Sequence, residues 1–456
     1  MKQYDVIVIG AGSGGLVAAT TAHRKGLKTA MVEKNKIGGE CTHYGCVPSK
    51  ALINAAKAYH SIEKMETLGI AAAVPKLDFR AVMEKVDEIV QGIYIHETPE
   101  IFQNQGIDVY VDNSGAQFID ANTITIGNET LRSKHFVICT GSSPRIPEIE
   151  GIDRANILHN ENFWKLRKHP KKVVFIGGGV ISIEIGQALA RFGCDICIID
   201  RNSRILKVTD EEIGGYLCKQ LEKDGLQLIT EAKILKFIDK NSLLYSINDV
   251  EQTVIADYFF VAAGRLPNVG GLNLEKAGIE YTSRGILSNE YLQTSANNIY
   301  TCGDVTTPLK FTHTASYQAN ICIDNILNEN SKKNDLSVVP WGIFTEPEIG
   351  HVGLSEKEAE KKFGKAGFTV FKVEASIDRF ITDRKTGGLL KVIFSNEDLV
   401  LGAEAVGAHA GEWIQLFTII IKNKIKAHEM AETIFSYPTY SEIVKKSFSR
   451  YVRTKE

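Results

Sequence analysis

Short apolar runs alternate with helix-like spacings of apolar residues over the first two thirds of the chain. An apolar run at residues 4–9 leads into a glycine-rich turn and a helical pattern, and a second apolar run follows at 29–32. The same succession returns at 172–176 and 196–199. Continuous apolar runs of this length are typical of strands buried on both faces of a parallel sheet. The pattern therefore predicts an α/β fold with two such units.

The pattern changes outside these two units. Residues 51–105 have a mostly helical spacing, whereas from about Ser337 strand-like and helix-like segments alternate without a glycine-rich turn. The later segments are strands at 387–395 and 399–406 and helices at 355–363 and 412–422. Mixed strands and helices without the repeating turn indicate a separate α+β domain at the C-terminus.

The two glycine-rich turns share a spacing that carries chemical information. In each unit the first glycine and the acid that ends the second strand are 23 positions apart. Glycines in such a turn let the backbone approach a pyrophosphate at a helix N-terminus, and the acid binds ribose hydroxyls. We therefore expect two Rossmann-like dinucleotide-binding domains. Their residues are Gly10, Gly12, Gly15 and Glu33 in the first unit, and Gly177, Gly179, Ser182 and Asp200 in the second, where Ser182 replaces the third glycine.

Two cysteines five positions apart, Cys41 and Cys46, precede a helix predicted at 49–59. An ideal helix would hold their Cα atoms roughly 8–9 Å apart, whereas a disulfide needs about 4.4–6.8 Å. If they pair, the segment between them must be a distorted turn, and Gly45 supplies the backbone freedom. Pro48 suits a first helical turn, and Cys46 near the helix N-terminus favours the thiolate. For the spacing alone, two unrelated buried cysteines remain the alternative.

Composition excludes several classes of protein. A chain of 456 residues suggests about three domains, and a formal net charge of −2 argues against a nucleic-acid surface. Eight cysteines are too few for a disulfide scaffold. Cys194 and Cys197 have the spacing of half a zinc site but lie in a strand pattern without a second ligand pair, so we predict no metal site.

The same features bear on the compartment. One working cysteine pair among otherwise core-like cysteines is typical of a reducing environment. No signal-peptide pattern precedes the first strand, and no apolar run reaches membrane-spanning length. We therefore expect a cytoplasmic enzyme with neither a membrane nor a nucleic-acid partner.

Together these residues resemble the class I pyridine nucleotide–disulfide oxidoreductases over nearly the whole chain. The C-x4-C-x-P-S-K motif from Cys41 to Lys50 is highly specific for that family, which includes dihydrolipoamide dehydrogenase, glutathione reductase and mercuric reductase. The resemblance implies FAD on the first unit and NAD(P)H on the second. The implied FAD contacts are Gly10, Gly12, Gly15, Glu33, Gly39, Thr140, Gly141, Gly303 and Asp304, and the implied nicotinamide-dinucleotide contacts are Gly177, Gly179, Asp200 and Gly264.

The resemblance also implies an electron path. NAD(P)H reduces the flavin, which reduces a Cys41–Cys46 disulfide through Cys46, and Cys41 then exchanges with a substrate. Lys50 matches the family's lysine beside the flavin, and Glu184 matches the carboxylate that pairs with it.

The implied assembly is a homodimer with shared sites. Tyr437 and Glu442 would reach the cysteine pair of the partner subunit, because the family takes this segment from the other chain. The expected domains are an FAD domain at 1–147 and 266–334, an NAD(P) domain at 148–265 and an interface domain at 335–456.

Asp200 predicts a preference for NADH. A carboxylate accepts hydrogen bonds from a ribose 2′-hydroxyl and repels a 2′-phosphate. Arg201 and Arg204 lie close enough in sequence to reverse that preference.

The chain departs from the disulfide reductases at its proton carrier. Tyr437 stands where they have histidine, and a phenol with an ordinary pKa near 10 is a poor base at neutral pH compared with imidazole near 6.5. His43, inside the cysteine loop, is the other candidate proton carrier. Glu40 replaces the usual threonine before Cys41, and its carboxylate should raise the pKa of Cys41 if it lies close.

These departures leave the electron acceptor open. Dihydrolipoamide dehydrogenase-like exchange with a disulfide or dithiol is the leading interpretation. Reduction of a metal ion or quinone, as in mercuric reductase, is the alternative, although no cysteine follows Cys322. A soluble pyridine nucleotide transhydrogenase is a third possibility, in which Cys46 would be superfluous. A redox sensor and a docking subunit of a lipoyl complex are the non-catalytic alternatives.

Overall fold

The first unit is built on a seven-stranded sheet in the computed structural model, which describes residues 1–71, 73 and 75–456. Five strands are parallel neighbours, and a hairpin extends the sheet with antiparallel pairing. The parallel strands are, in spatial order, Asp108–Val111, Thr29–Glu33, Lys2–Ile9, Glu129–Ile138 and Ile299–Thr301, and the added hairpin is Gln117–Asp120 with Thr123–Ile126.

Alternate residues of the first strand enter two different cores. Val6 and Val8 pack in the core that contains the alanines of helix Ser13–Arg24 and the apolar residues of helix Thr312–Leu327. Ile7 and Ile9 face the opposite core. This burial on both faces explains why the strand is a continuous apolar run in the sequence.

The second unit repeats the arrangement with five parallel strands. Their spatial order is Gln227–Ile229, Asp195–Ile199, Lys172–Ile176, Tyr258–Val261 and Ile157–Leu158. The helices are Val180–Arg191 and Glu211–Lys223, and an antiparallel meander is formed by Ala232–Asp239, Ser242–Ile247 and Val250–Ile255. The two parallel sheets confirm the predicted α/β class with two Rossmann-like units.

The chain passes between the two units through one antiparallel ribbon. Ser142–Pro144 pairs with Arg265–Pro267. The predicted limits at 147/148 and 265/266 lie within or close to this ribbon, and the limits themselves remain a prediction.

Helices dominate the stretch predicted to be mostly helical. They are Cys46–Glu63, Phe79–Tyr94 and Pro99–Asn104, with a short helix at Gly39–His43 before them. The smaller elements of the chain are 3-10 turns at Met65–Leu68, Ile152–Arg154, Phe163–Lys165, Leu274–Ala277 and Gly303–Val305, and a ribbon of Tyr281–Thr282 with Gly285–Ile286. Among the described residues, no helix is both long enough and apolar enough to cross a membrane.

The C-terminal unit is a five-stranded antiparallel sheet with helices packed on it, as an α+β domain requires. The strand order is Trp341–Ile343, Glu348–Gly353, Val400–Gly407, Leu389–Ser395 and Phe368–Glu374. The helices are Glu356–Phe363, Asp378–Thr382, Ala410–Trp413, Gln415–Lys422, Ala427–Glu432 and Glu442–Arg453. The single helix predicted at 412–422 is therefore two helices that meet at Ile414.

Two glycines of one strand provide a test of packing in this unit. A Cβ on Gly402 would lie 2.0 Å from the carbonyl oxygen of Leu354, whereas a Cβ on Gly407 would meet side chains no closer than 3.5 Å. We expect Gly402→Ala to lower the free energy of unfolding by about 1–3 kcal/mol, because backbone must move to admit the methyl group. Gly407→Ala is the matched control and should be close to neutral. Denaturant unfolding of both variants at equal protein concentration measures the difference, and equal midpoints would contradict the expectation.

Candidate active site

The cysteine segment is a helix broken between its two thiols. Cys41 lies in the short helix Gly39–His43, and Cys46 begins the helix Cys46–Glu63. Gly45 makes the break with φ −116° and ψ −113°, and a Cβ there would lie 3.0 Å from the carbonyl oxygen of Glu40. The distorted turn expected from the spacing of the cysteines is therefore present.

The two thiols differ strongly in acidity. The pKa of Cys46 is lowered to about 6 by a hydrogen bond from Cys41, assisted by the charge of Lys50, although burial opposes the shift. The pKa of Cys41 is raised well above its usual value, because it shares that hydrogen bond and is also partly buried. The hydroxyl of Thr312 lies 3.7 Å from the Cys46 sulfur and adds to its stabilisation. At neutral pH the reduced pair therefore holds a thiolate at Cys46 and a thiol at Cys41.

Lys50 is held by a carboxylate from the second unit. Its Nζ lies 2.9 Å from Glu184 Oε2 and 4.6 Å from the centre of the Phe344 ring. Glu184 is 4% exposed, and its other oxygen accepts a hydrogen bond from the backbone N–H of Phe344 at 2.8 Å. Lys50 lies one helical turn after Cys46, and its contact with Glu184 and that of Glu184 with Phe344 join residues of all three units.

The first glycine turn fits a pyrophosphate. Gly10 has φ +99°, and a Cβ on Gly15 would lie 1.8 Å from the carbonyl oxygen of Gly10. Glu33 accepts a hydrogen bond from the backbone N–H of Ala11 at 2.6 Å, which places its carboxylate beside the turn. The turn therefore keeps its backbone open to a ligand, as FAD requires.

One large cavity joins this turn to the thiols. Its volume is about 1830 Å³, above the usual range of about 300–1,000 Å³ for small-ligand sites, and its wall includes Cys41, Cys46, Lys50 and Glu184. Of the predicted FAD contacts, Gly15 lies beneath the turn instead of on the wall. The wall contains Gly10, Gly12, Glu33, Gly39, Thr140, Gly141, Gly303 and Asp304.

Asp304 and Glu40 meet an arginine at the cavity wall. Ser142 donates a hydrogen bond to Asp304 at 2.6 Å, and Arg265 donates to Glu40 at 2.7 Å and lies 3.8 Å from Asp304. Burial raises the pKa of the Glu40 carboxyl, although Arg265 opposes the shift. The Cys41 pKa is raised first by its hydrogen bond with Cys46 and then by burial, and the expected influence of Glu40 remains a prediction.

The second glycine turn repeats the first with one substitution. Gly177 has φ +104°, and the hydroxyl of Ser182 donates to the carbonyl oxygen of Gly177. Asp200 accepts hydrogen bonds from the backbone N–H groups of Gly178 and Asn202, as Glu33 does from Ala11 and Asn35. Serine is tolerated at the third position because its hydroxyl finds a partner there. The predicted contacts Gly177, Gly179, Asp200 and Gly264 do not line the large cavity, whose wall receives Val180, Ile181 and Glu184 from the following helix.

The candidate proton carriers lie in different surroundings. His43 lines the cavity but is buried, its Nε2–H donates to the Ile37 carbonyl at 2.7 Å, and burial lowers the pKa of the ring. Tyr437 is 70% exposed, and its hydroxyl donates to Asp378 at 2.7 Å. This hydrogen bond raises the pKa of Tyr437. Neither Tyr437 nor Glu442 is on the described wall of the cavity.

Several residues around the site were not predicted from the sequence. Arg265 directly follows Gly264, and a charged residue at the end of a buried strand could have been predicted to lie at the site. Thr312 and Phe344 carry no local pattern, and Asp378 lies 59 positions from Tyr437.

The acidity of Cys46 provides a test with two opposite outcomes. The charge of Lys50 lowers the Cys46 pKa and that of Glu184 raises it. In the reduced enzyme, Lys50→Met should move the pH midpoint of Cys46 alkylation upward, and Glu184→Gln should move it downward. Below its pKa the thiol dominates and alkylation is slow, so the midpoint reports the pKa directly. Shifts of the same sign in both variants would contradict this assignment.

Two relatives and one solved structure are similar to this chain over nearly its whole length. Mercuric reductase from Staphylococcus aureus is 33% identical over 449 residues, covering 97% of this chain and 81% of that protein. A dihydrolipoyl dehydrogenase from Bacillus subtilis is 33% identical over 455 residues, covering 97% and 95% respectively. The Cu(II) complex of the HOCl-induced flavoprotein disulfide reductase RclA from Escherichia coli superposes with a TM-score of 0.87 at 26% identity, covering 99% of this chain and 100% of that one.

Two family matches together span most of the sequence. The pyridine nucleotide-disulphide oxidoreductase family matches residues 4–319, and the dimerisation domain of the same family matches residues 339–448. The chain therefore belongs to the pyridine nucleotide-disulphide oxidoreductases, flavoenzymes that use FAD and NAD(P)H.

Proposed function

We propose that this enzyme passes electrons from NADH to a thiophilic metal ion, such as Cu(II) or Hg(II), that binds at Cys41 and Cys46. The observation that carries the proposal is the state of Tyr437. Its phenol donates to Asp378 and its pKa is raised, so it does not accept a proton from an incoming thiol at neutral pH. A metal ion needs no such base, because it binds thiolate sulfur directly.

The reduced thiols suit this acceptor. When bound, FAD supplies two-electron transfer between the nicotinamide and the disulfide. Lys50 favours the Cys46 thiolate, and Cys41 retains a proton that leaves when a metal ion binds. Within the described residues there is no group of three or more His, Cys, Asp or Glu side chains that could hold a metal ion. A two-thiol site suits a metal ion that binds and leaves as substrate.

Relatives named mercuric reductase and one solved structure support a metal-ion acceptor. Mercuric reductase is the name of relatives 31–33% identical to this chain. The Escherichia coli flavoprotein RclA, with a TM-score of 0.87, is described as a Cu(II) complex.

Dihydrolipoamide-like exchange with a disulfide or dithiol is the second candidate. Relatives named dihydrolipoyl dehydrogenase match this chain over almost their whole length, 95% for one from Bacillus subtilis. Glu442, which pairs with the family's histidine, is also present. His43 would then be the first alternative base to examine.

A panel of acceptors distinguishes the two candidates. NADH oxidation is measured with Cu(II), Hg(II), lipoamide, glutathione disulfide and a quinone. We expect turnover with the metal ions that is lost in Cys46→Ser, and negligible turnover with lipoamide. Tyr437→His should raise lipoamide turnover by about 10²-fold or more, because a positioned imidazole contributes as a general base.

Tyr437→Phe is the matched control for this substitution. It removes the hydroxyl without adding a base, so lipoamide turnover should stay negligible. Wild-type turnover of lipoamide at an ordinary enzymatic rate, about 10–1,000 per second, would overturn the metal-ion proposal and favour the second candidate.

We also propose that two copies assemble with shared sites in the cytoplasm. The dimerisation domain supports a homodimer, and this unit has exposed apolar side chains at Ile381, Ile419 and Ile434 that a second copy could cover. Tyr437 and Glu442 lie away from the cavity of their own chain, which supports a position near the partner's cysteines. The proposed compartment rests on the cysteine usage alone.

The surroundings of Asp200 support NADH as the coenzyme. Arg204, the nearby cation that could bind a 2′-phosphate, instead donates hydrogen bonds to the carbonyl oxygens of Leu206, Lys207 and Thr209. Arg201 is exposed. We infer that the carboxylate of Asp200 sets the preference at the ribose.

We expect kcat/KM for NADH to exceed that for NADPH by about tenfold or more, since placing a phosphate beside a carboxylate costs more than about 1.4 kcal/mol. Asp200→Asn removes the charge and should lower the ratio of kcat/KM for NADH to kcat/KM for NADPH, chiefly by raising kcat/KM for NADPH. Glu212→Gln, on the exposed side of the following helix, is the control and should leave the ratio unchanged. Equal values for both coenzymes in the wild type would contradict the preference.

A further inference from the structure

A second pair of cysteines lies beneath the first glycine turn and has no part in the function proposed above. Cys139 follows strand Glu129–Ile138, and Cys302 follows strand Ile299–Thr301. These strands are parallel neighbours in which Ile138 pairs with Thr301, so the two cysteines occupy the next position on adjacent strands. Their sulfur atoms are 3.2 Å apart, closer than an ordinary non-bonded contact between sulfur atoms.

We propose that Cys139 and Cys302 form a second redox couple, a dithiol that closes to a disulfide when the protein meets hydrogen peroxide. Adjacent strands lie about 4.7–4.9 Å apart, within the Cα separation of about 4.4–6.8 Å that a disulfide accepts. Small side-chain movements therefore suffice, and the backbone pairing can be kept.

The environment divides the pair into a nucleophile and a proton-bearing partner. The pKa of Cys302 is lowered to about 5, first by a hydrogen bond from Cys139 and then by one from Cys322, although burial opposes the shift. The pKa of Cys139 is raised by the same hydrogen bond and by burial. Cys41 and Cys46 are arranged in the same way, because a hydrogen bond from the thiol of one stabilises the thiolate of the other.

Only a small oxidant can reach this pair. Both cysteines contribute to the wall of the large cavity, yet Cys139 is 8% exposed and Cys302 is 1% exposed. A Cβ on Gly14 would lie 3.1 Å from the Cys302 sulfur, so this thiol lies directly behind the glycine turn. Hydrogen peroxide has the size to enter, whereas glutathione disulfide or a protein thiol does not.

The chemistry balances with one peroxide per pair. The Cys302 thiolate attacks one peroxide oxygen, which forms a sulfur–oxygen bond, breaks the oxygen–oxygen bond and releases hydroxide. Cys139 then attacks the Cys302 sulfur, the sulfur–sulfur bond forms, and the oxygen leaves as water with the Cys139 proton. Hydroxide takes up the proton that Cys302 had lost. Two thiols are oxidised by two electrons and one peroxide is reduced to two waters.

The disulfide would connect two distant parts of one domain. Cys139 and Cys302 are 163 positions apart, and the entire second unit lies between them in the chain. Cross-links that close long loops restrict the unfolded chain strongly. Oxidation would therefore clamp together the two segments that form the first unit, under the conditions that also oxidise the active pair.

Thiol mapping of the holoenzyme tests the proposal. The enzyme is reduced with a phosphine, freed of reductant, treated with hydrogen peroxide, alkylated under denaturing conditions and digested for mass spectrometry. We expect a peptide joining Cys139 to Cys302, and oxidation should remove two more alkylatable thiols per subunit from the wild type than from Cys302→Ala. Oxidation should also raise the melting temperature of the wild type by about 5–15 °C more than that of Cys302→Ala.

Matched variants keep the outcome clear. Cys197→Ala removes a buried strand cysteine of the second unit and should leave the joined peptide unchanged. Cys139→Ala serves if Cys302→Ala does not fold, and the wild-type mapping needs neither variant. Recovery of Cys139 and Cys302 as alkylated thiols after the active pair has become a disulfide would overturn the proposal. So would a Cys302–Cys322 link, or sulfinic acid at Cys302.

Discussion

The ion pair between Lys50 and Glu184 holds a positive charge beside the redox thiols and joins the units of the protein. Lys50 lies four residues after Cys46 on the same helix, so its ammonium group acts on the thiolate from a fixed position. Glu184 fixes that position from the second unit, and the N–H of Phe344 fixes Glu184 from the third. A buried carboxylate requires such partners, because an unpaired charge at this depth would be costly. The largest contribution to the lowered pKa of Cys46 is the hydrogen bond from Cys41, and the further contribution of the Lys50 charge is held in place by residues of all three units.

A common electrostatic arrangement recurs around the cavity. At Cys41 and Cys46 one thiol donates to the other, which concentrates negative charge on one sulfur. Arg265 similarly lies near both Glu40 and Asp304 on the cavity wall. Burial raises the pKa of Glu40, and the hydrogen bond and charge of Arg265 oppose that shift. Such preorganised pairs do not need to rearrange when electrons arrive, which is favourable for redox chemistry in a partly dry site.

The sequence predicts the features that local geometry determines. The spacing from Gly10 to Glu33 predicted the first turn because strand, turn and helix lengths permit few alternatives. The break at Gly45 followed from the distance that two cysteines need if they are to pair. Pairs made by distant segments had no local signal. Glu184 lies 134 positions from Lys50 and was assigned only through the family resemblance, whereas Arg265 lies 225 positions from Glu40 and was not anticipated.

The C-terminal unit illustrates the same limit. The parallel strands of the first and second units are recognisable in the sequence as continuous apolar runs. The antiparallel strands Trp341–Ile343 and Phe368–Glu374 of the C-terminal unit are short or half-exposed and have no comparable pattern. The predicted helix at 412–422 was divided because Ile414 ends one helix and caps the next. Tertiary packing, with Trp413 and Phe417 both in the core, decides that geometry and local propensity does not.

A polar network shows how the second and third units are held against each other near the cavity. Lys391 contacts Asp210 at 2.7 Å, and Glu404 accepts a hydrogen bond from the backbone N–H of Asp210 at 2.8 Å. The other oxygen of Glu404 lies 3.0 Å from His351, whose ring stacks on Trp341 in the cavity wall. Because Asp210 also caps helix Glu211–Lys223, the network ties a helix of the second unit to the cavity wall formed by the third. The second unit is thus fixed to the third here, at the start of its second helix, and through Glu184 on its first helix.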